Sequence, residues 1–415
     1  MKNLEISPSL IDGIIFTSGS KNIALPIICA SLLINDSITI NNVPDILDVR
    51  NLLEILNEIN AKNVFSNNKL IIDSKNILIK KMPFEMIKKM RASYYLLGVL
   101  LPKFENLEFT FPGGCSFQER PIDLHLMAFE NLGIKFNIKN ELIQFDSRNI
   151  RNGIITFSKK SVGATINAIL CCCQIPGCSI INNPSLDYEV IEVINFVNQI
   201  GGCILIEDNS LKIEGREKFY PINNYYIKPD RIEIGTYALL GACKGRILIV
   251  GIDTNSLKAL FSLFDTLKIT YSYTDNYLLV DKSNISYPLS IKLDSDPNFP
   301  TDLGPILCAF LLMNKKISII EDVIYPRRNQ YVEELKKMGA KIKIVNNKII
   351  IFPFSKFKSA TLYGKDLRGS MSLIIGGLIS NQKQSIYGYS YLIRGYENLI
   401  LKLRNLNVNI KEIEK

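Results

Sequence analysis

The segment "FPGGCSFQERPID", residues 111–123, sets Cys115 between a glycine pair and Arg120. A thiol on a glycine turn beside a guanidinium can have a shifted pKa and so serve as nucleophile or proton donor. Elsewhere, polar residues recur at the starts of otherwise apolar stretches: Ser20, Lys21 and Asn22; Arg91 and Ser93; Ser161 and Gly163; Arg231 and Glu233; Thr301 and Asp302; Arg368 and Ser370. Loops add Arg327, Arg328 and Arg394. Many cations, one or two carboxylates and one thiol suit substrates that carry phosphate and carboxylate groups. The one histidine, His125, lies in "DLHLMAF" on an expected helix, where a structural role is favoured, and no Walker-type glycine loop is present. Ser-His-Asp hydrolysis is therefore not expected.

The elements that must position these residues repeat. Stretches beginning at Ile38, Leu107, Ser179, Ile247, Ile317 and Ser385 share one grammar at a spacing of about 70 residues. Each reads as a strand, a loop, an amphipathic helix and a further strand; in the first five an Asn, Asp or Glu turn returns another strand, and the sixth stops early. Before each lies a helix without a polar face: "SGSKNIALPIICASLLIN", "MRASYYLLGVLL", "SVGATINAILCCCQIPG", "IEIGTYALLGACKG", "TDLGPILCAFLLMN" and "LRGSMSLIIGGLIS". A helix apolar all round must be buried, so this set should form the cores while the amphipathic set faces outward. The polar residues sit where free N–H groups and the helix dipole favour anions.

With 415 residues, 47% of them hydrophobic, the chain suits two domains rather than one core. Three repeats in each, divided near "IKPDRIEIG", give domain boundaries of 21–228 for the first and 1–20 with 229–415 for the second. The N-terminal "LEISPSL" is expected to pair within the second. The formal charge of +9 is spread among scattered lysines, so no nucleic-acid partner is expected. Apolar runs such as "YYLLGVLL" fall short of the roughly 20 residues that span a bilayer, and "MKNLEISPSL" lacks a signal-like core. A soluble, cytoplasmic protein without a membrane partner is expected. Nine cysteines without a CxxC pair point to a reducing compartment and no metal site. Cys29, Cys171, Cys172, Cys173, Cys178, Cys203, Cys243 and Cys308, set among apolar or small residues, are expected to be buried.

The motifs "SKNIALPI", "MRASYYLLGVLLPKF", "FPGGCSFQERPIDLHL", "SVGAT", "KPDRIEIGT", "FPTDLGPILCAFLL", "DLRGSMSLI" and "RGYENLILKL" occur in the order and spacing of one family. Almost end to end, the chain resembles the UDP-N-acetylglucosamine 1-carboxyvinyltransferases of the EPSP synthase superfamily, enolpyruvyl transferases that open peptidoglycan synthesis. The resemblance implies a two-domain, inside-out α/β barrel (α+β), each domain three βαβαββ-like units around buried helices. It implies transfer of the enolpyruvyl group of phosphoenolpyruvate to the 3'-hydroxyl of UDP-N-acetylglucosamine, without metal or cofactor, and a target for fosfomycin. By motif, Cys115 matches the general acid and Asp302 the group that meets the 3'-hydroxyl, while Lys21, Arg120 and Arg394 would surround phosphoenolpyruvate, with Arg328 and Arg368 on the same rim. Asn22 and Asp302 would hold the sugar, faced by Arg91 and Ile324. Residues Arg120, Pro121, Ile122, Asp123 and Leu124 would clasp the uridine; Lys159, Lys160, Ser161, Val162 and Gly163 would meet the diphosphate.

Several positions depart from the family pattern: Phe117, Gln118 and Glu119 after the Cys-Ser pair, Pro326 and Arg327 before Arg328, and Ile393 before Arg394. Three other readings compete. Cys115 and the uridine segment argue against the sister enzyme that acts on shikimate 3-phosphate. A catalytically impaired homologue would keep the fold. A nucleic-acid clamp would carry Lys and Arg along its inner helices, which here are apolar.

Overall fold

The computed structural model describes residues 2–79, 82–113, 122–353 and 356–414. Among the described residues, besides the single-turn helices Phe84–Ile87 and Tyr389–Leu392, twelve helices alternate in kind along the chain. They are α1 (Lys21–Ala30), α2 (Leu47–Glu58), α3 (Tyr95–Leu100, continuing the 3-10 turn Arg91–Tyr94), α4 (Asp123–Asn131), α5 (Val162–Cys172) and α6 (Tyr188–Gln199). Then follow α7 (Arg231–Lys244), α8 (Lys258–Leu267), α9 (Gly304–Phe310, after the 3-10 turn Thr301–Leu303), α10 (Gln330–Lys337), α11 (Leu367–Ser380) and α12 (Leu399–Asn405).

The odd-numbered helices are the apolar ones, and they are interior. All of α11 is buried, including Arg368, Ser370 and Ser372. By contrast α8 buries Leu260, Leu263, Phe264 and Leu267, a single stripe at i, i+3, i+4 and i+7. Two units divide the chain. One comprises the described residues between Gly19 and Lys228 and carries α1 to α6; the other comprises residues up to Ser18 and from Pro229 onward and carries α7 to α12. Each has its own hydrophobic core.

Six small sheets cover the interior helices. In the first five repeats the strand after the outer helix turns back in a hairpin, as with Lys62–Ser66 and Lys69–Asp73 or Ile342–Val345 and Lys348–Ile351. Asn67 and Asn68 have φ of 50° and 57°, and Asn346 and Asn347 of 48° and 62°. Such turns match the twist of the paired strands and favour asparagine among residues with a side chain. The sixth repeat ends in Ile410–Glu414, and its returning strand comes from the other end of the chain. Lys2–Ile6 lies between Gln384–Tyr387 and Ile410–Glu414, antiparallel to both. Ile11–Phe16 likewise runs parallel to Gly245–Val250, and Tyr225–Tyr226 parallel to Ser37–Asn41.

One expectation about the cysteines is corrected. Cys29, Cys171, Cys172, Cys173, Cys243 and Cys308 are buried, but Cys178 is exposed and Cys203 only partly covered. Both stand opposite Glu214 on strands flanking Ser210–Gly215, so alternation puts them on that carboxylate's face. No helix of the described residues is long and apolar enough to cross a membrane, and they contain no group of three or more His, Cys, Asp or Glu that could hold a metal ion.

Candidate active site

In the N-terminal unit, Lys21 is the first residue of α1, and its Nζ lies 2.8 Å from Asp48 Oδ2 in the first turn of α2. The Asp48 side chain is only 5% exposed, so the ammonium is fixed by a nearly buried carboxylate. Asn22 follows, half-buried. Arg91 opens the turn before α3 and places its guanidinium carbon 5.3 Å from the Tyr94 ring centroid. The His125 ring packs on the same tyrosine at 4.5 Å.

Asn167, buried in α5, ties these pieces together. Its Oδ1 accepts from Gly98 N at 3.0 Å, which fixes the amide orientation; its Nδ2 then donates to Tyr94 O at 3.0 Å and faces His125 Nδ1 at 2.9 Å. His125 Nδ1 is therefore the acceptor and its proton sits on Nε2. Burial, with Arg91 adding to it, lowers the His125 pKa to about 3, so the imidazole is neutral. Its role here is structural.

Ser161 caps α5, accepting from Ala164 N at 3.4 Å, and is partly covered together with Val162 and Gly163. A Cβ on Gly163 would come within 2.4 Å of Tyr94 Oη, so only glycine fits there without displacing the tyrosine. Lys159 and Lys160 are exposed just ahead of the cap. Ile122 and Leu124 are buried, while Asp123 is exposed in the first turn of α4. Cys115, Arg120 and Pro121 lie outside the described residues.

In the C-terminal unit the chemistry converges on Asp302. Its Oδ1 accepts from Arg328 Nη1 at 3.0 Å, and its Oδ2 accepts from Arg368 Nε at 3.2 Å and Nη2 at 3.0 Å. The arginine side chains are 5% and 4% exposed, Asp302 24%. Burial by itself would raise the Asp302 carboxyl, but Arg368 and then Arg328 outweigh it and hold it well below the usual carboxylate range.

Each arginine is seated. Arg328 also donates to Thr301 O at 3.2 Å and stacks over Tyr325 at 4.5 Å. Its loop is pinned by Asp322, which accepts from Ile324 N at 3.0 Å, Tyr325 N at 2.8 Å and Thr301 Oγ1 at 2.6 Å. Ile324 is partly covered within that loop. Arg368 lies over the buried Tyr396 ring at 5.5 Å, and the Tyr396 hydroxyl is 3.0 Å from Thr236 Oγ1. Arg394, two residues before Tyr396, is partly covered. Arg327 is exposed, unlike its neighbour Arg328.

The expectation that all six buried helices offer their starts to anions is also corrected. At α7, Asp230 accepts from Ile232 N and Glu233 N, and at α11, Asp366 accepts from Arg368 N and Gly369 N. Those N–H groups already have a carboxylate, so anion binding there falls to side chains. Asp48, Asn167, Asp322 and Tyr396 are site-building residues that the sequence did not single out. Asp48 had a faint signal, an acid in the first turn of an otherwise amphipathic helix; Asn167 and Tyr396 have partners too distant along the chain to show, and so has Asp322 in its bond to Thr301, though it also accepts from the nearby Ile324 N and Tyr325 N.

A model of the EPSP synthase (3-phosphoshikimate 1-carboxyvinyltransferase) family matches residues 7–403. The chain belongs to the EPSP synthase family. Within that family, a Wolbachia pipientis wMel protein named UDP-N-acetylglucosamine 1-carboxyvinyltransferase is 34% identical, the match covering 96% of each chain. A protein of the same name from Buchnera aphidicola subsp. Baizongia pistaciae is 36% identical, over 99% of this chain and 100% of its own. The crystal structure of the enolpyruvyl transferase NikO from Streptomyces tendae matches with a TM-score of 0.91 at 19% identity, over 99% of this chain and 98% of that one. EPSP synthase from Acinetobacter baumannii matches with a TM-score of 0.78 at 13% identity, over 100% of both. At such low identities these two likenesses establish the fold, a mixed α/β architecture of the enolpyruvyl transferase type.

Proposed function

We infer that the chain transfers the enolpyruvyl group of phosphoenolpyruvate to the 3'-hydroxyl of UDP-N-acetylglucosamine with release of phosphate, the first committed step of peptidoglycan synthesis. Near-full-length identity of 34–36% to proteins named for that reaction carries this reading over the sister reaction on shikimate 3-phosphate. The reaction needs two opposed proton transfers. As the 3'-oxygen bonds to C2, its proton passes to a base and C3 gains one from an acid. C3 then gives up a proton, the bond from C2 to the phosphate oxygen breaks, and phosphate leaves.

Cys115 is assigned the acid, on the motif in which it stands, and Asp302 the base. Lys21, Arg394 and Arg120 would meet the anionic groups of phosphoenolpyruvate, and the near-burial of the Lys21–Asp48 pair supports a fixed rather than a roaming cation. Arg91, Asn22 and Ile324 would face the sugar. Ile122 to Leu124, with Arg120 and Pro121, would hold the uridine, and Lys159 to Gly163 the diphosphate. A cytoplasmic setting is the reading that goes with this activity on soluble nucleotide-sugar and phosphoenolpyruvate substrates.

Phosphate release with each substrate omitted in turn tests the activity, and shikimate 3-phosphate in place of the nucleotide sugar tests the alternative. Release is expected only when phosphoenolpyruvate and the nucleotide sugar are both present; release with phosphoenolpyruvate and shikimate 3-phosphate but not with the nucleotide sugar would overturn the reading. Fosfomycin, an epoxide, should alkylate Cys115 in peptide maps, and labelling confined to the exposed Cys178 would remove the role assigned to Cys115.

A further inference from the structure

Asp302 stands in a state unfit for the proton transfer assigned to it. Each carboxylate oxygen is held by a different guanidinium, at 3.0 Å from Arg328 Nη1 and 3.0 Å from Arg368 Nη2. A carboxylate so paired is stabilised as the anion and accepts a proton poorly. The same cluster is unsatisfied on its other side. Arg368 Nη1 is buried with no hydrogen-bond partner among the described residues, and so is the hydroxyl of Ser370, two residues further along α11. A buried guanidinium N–H without an acceptor is costly, and an incoming oxyanion would satisfy it.

The surrounding charges agree. Asp302 with two arginines carries a net positive charge. The other groups that act on the two guanidiniums are Asp322, Asp366 and Tyr325 around Arg328, and Asp230 and Tyr396 around Arg368. Asp230 and Asp366 are engaged as helix caps and Asp322 in pinning its loop, so none is available to replace Asp302 as an ion-pair partner without dismantling the fold around it.

We propose that Arg328 and Arg368 are positioning residues that switch the basicity of Asp302: an oxyanion of phosphoenolpyruvate takes up Arg368, starting from its open Nη1, and draws the guanidinium off Oδ2. The released oxygen then accepts the 3'-hydroxyl proton while the hydroxyl oxygen's electron pair forms the bond to C2. After phosphate leaves, Asp302 gives that proton to solvent and re-forms its ion pairs. Proton removal is thereby confined to complexes in which the second substrate is already seated. The proposal rests on the enolpyruvyl-transfer reading.

The test follows the Asp302 carboxyl by carbon-13 NMR in protein labelled at aspartate Cγ, with the resonance assigned by its loss in Asp302→Asn. In the free protein it should not titrate between pH 8 and 4.5. With phosphoenolpyruvate and a UDP-N-acetylglucosamine whose 3'-hydroxyl is replaced by hydrogen, so that no turnover occurs, it should titrate within that window, an upward shift of at least about one unit, the scale on which a neighbouring charge moves a carboxyl. Inorganic phosphate and pyruvate, in separate arms, distinguish the phosphate from the carboxylate as the group that draws Arg368 away. Arg368→Gln should raise the carboxyl without ligand, whereas Arg368→Lys, which keeps the charge, should raise it less. A carboxyl that stays flat while the phosphorus-31 signal shows phosphoenolpyruvate bound would overturn the switch and leave the transfer reading intact. If phosphoenolpyruvate does not bind and wild-type protein releases no phosphate, the transfer reading itself fails, and the switch with it.

Discussion

Two buried polar clusters, one in each unit, are built from opposite chemistry. In the N-terminal unit, Asn167 joins Gly98, Tyr94 and His125 in a neutral hydrogen-bonded network. In the C-terminal unit a buried cluster holds three full charges, Asp302, Arg328 and Arg368, with Arg368 Nη1 left without a partner among the described residues. A neutral network fixes geometry irrespective of what binds nearby. A charged cluster with a surplus cation is conditional: it is complete only with an anion present. One repeated scaffold thus provides a rigid wall and a responsive centre.

The sharpest way to break that contrast is at Asp302. Asp302→Asn should lower phosphate release by about 10²–10⁴, the scale for losing a positioned proton acceptor. It should also lower the urea midpoint, because two buried guanidiniums lose their counter-charge. Equal loss of nucleotide-sugar affinity and turnover would instead make Asp302 a binding group.

The neutral network should reveal itself in acid. His125 binds its proton at about pH 3 when folded and near 6.5 when unfolded. Between those values the unfolded chain holds more protons, so stability falls as pH drops, by up to about 1.4 kcal/mol per unit. His125→Gln should remove that slope, measured by denaturant unfolding at pH 7, 6, 5 and 4.5. An unchanged slope would mean the ring is not held neutral.

Smaller effects mark the edges of the comparison. Asp48→Asn should raise the KM for phosphoenolpyruvate about tenfold with a lesser change in kcat, as one charge-assisted contact weakens, and Asp48→Glu should recover part of it. Replacing the exposed Lys159 and Lys160 together by alanine should change the KM for the nucleotide sugar by less than about threefold at physiological salt, and by more at low salt.

What the sequence disclosed follows the same division. The six interior helices were legible because none has a polar face, and "LRGSMSLIIGGLIS" is indeed buried throughout. The hairpins were legible from paired asparagines such as Asn346 and Asn347. Asp302 could be singled out at a helix start, but its partners lie 26 and 66 residues away, and no local pattern encodes that meeting. Asn167 was hidden differently, as one amide within an apolar run, where its value depends on Gly98 and Tyr94, 69 and 73 residues earlier. Cys178 misled because its apolar neighbours alternate sides on a strand, and it occupies the outer one.

The strand Lys2–Ile6, wedged between Gln384–Tyr387 and Ile410–Glu414, has a consequence for how the protein comes into being. The contact between Ser9 and Asn409 beside it spans 400 residues. At a synthesis rate of roughly 5–20 residues per second, this strand leaves the ribosome about 20–80 s before its partners exist. The unit between Gly19 and Lys228 is contiguous and can fold during that interval, whereas the C-terminal unit keeps an open sheet until Ile410–Glu414 has been made. An unpaired strand at that stage is a sticky edge, so the newborn chain has its greatest need of chaperone protection just before Gln384–Tyr387 and Ile410–Glu414 emerge.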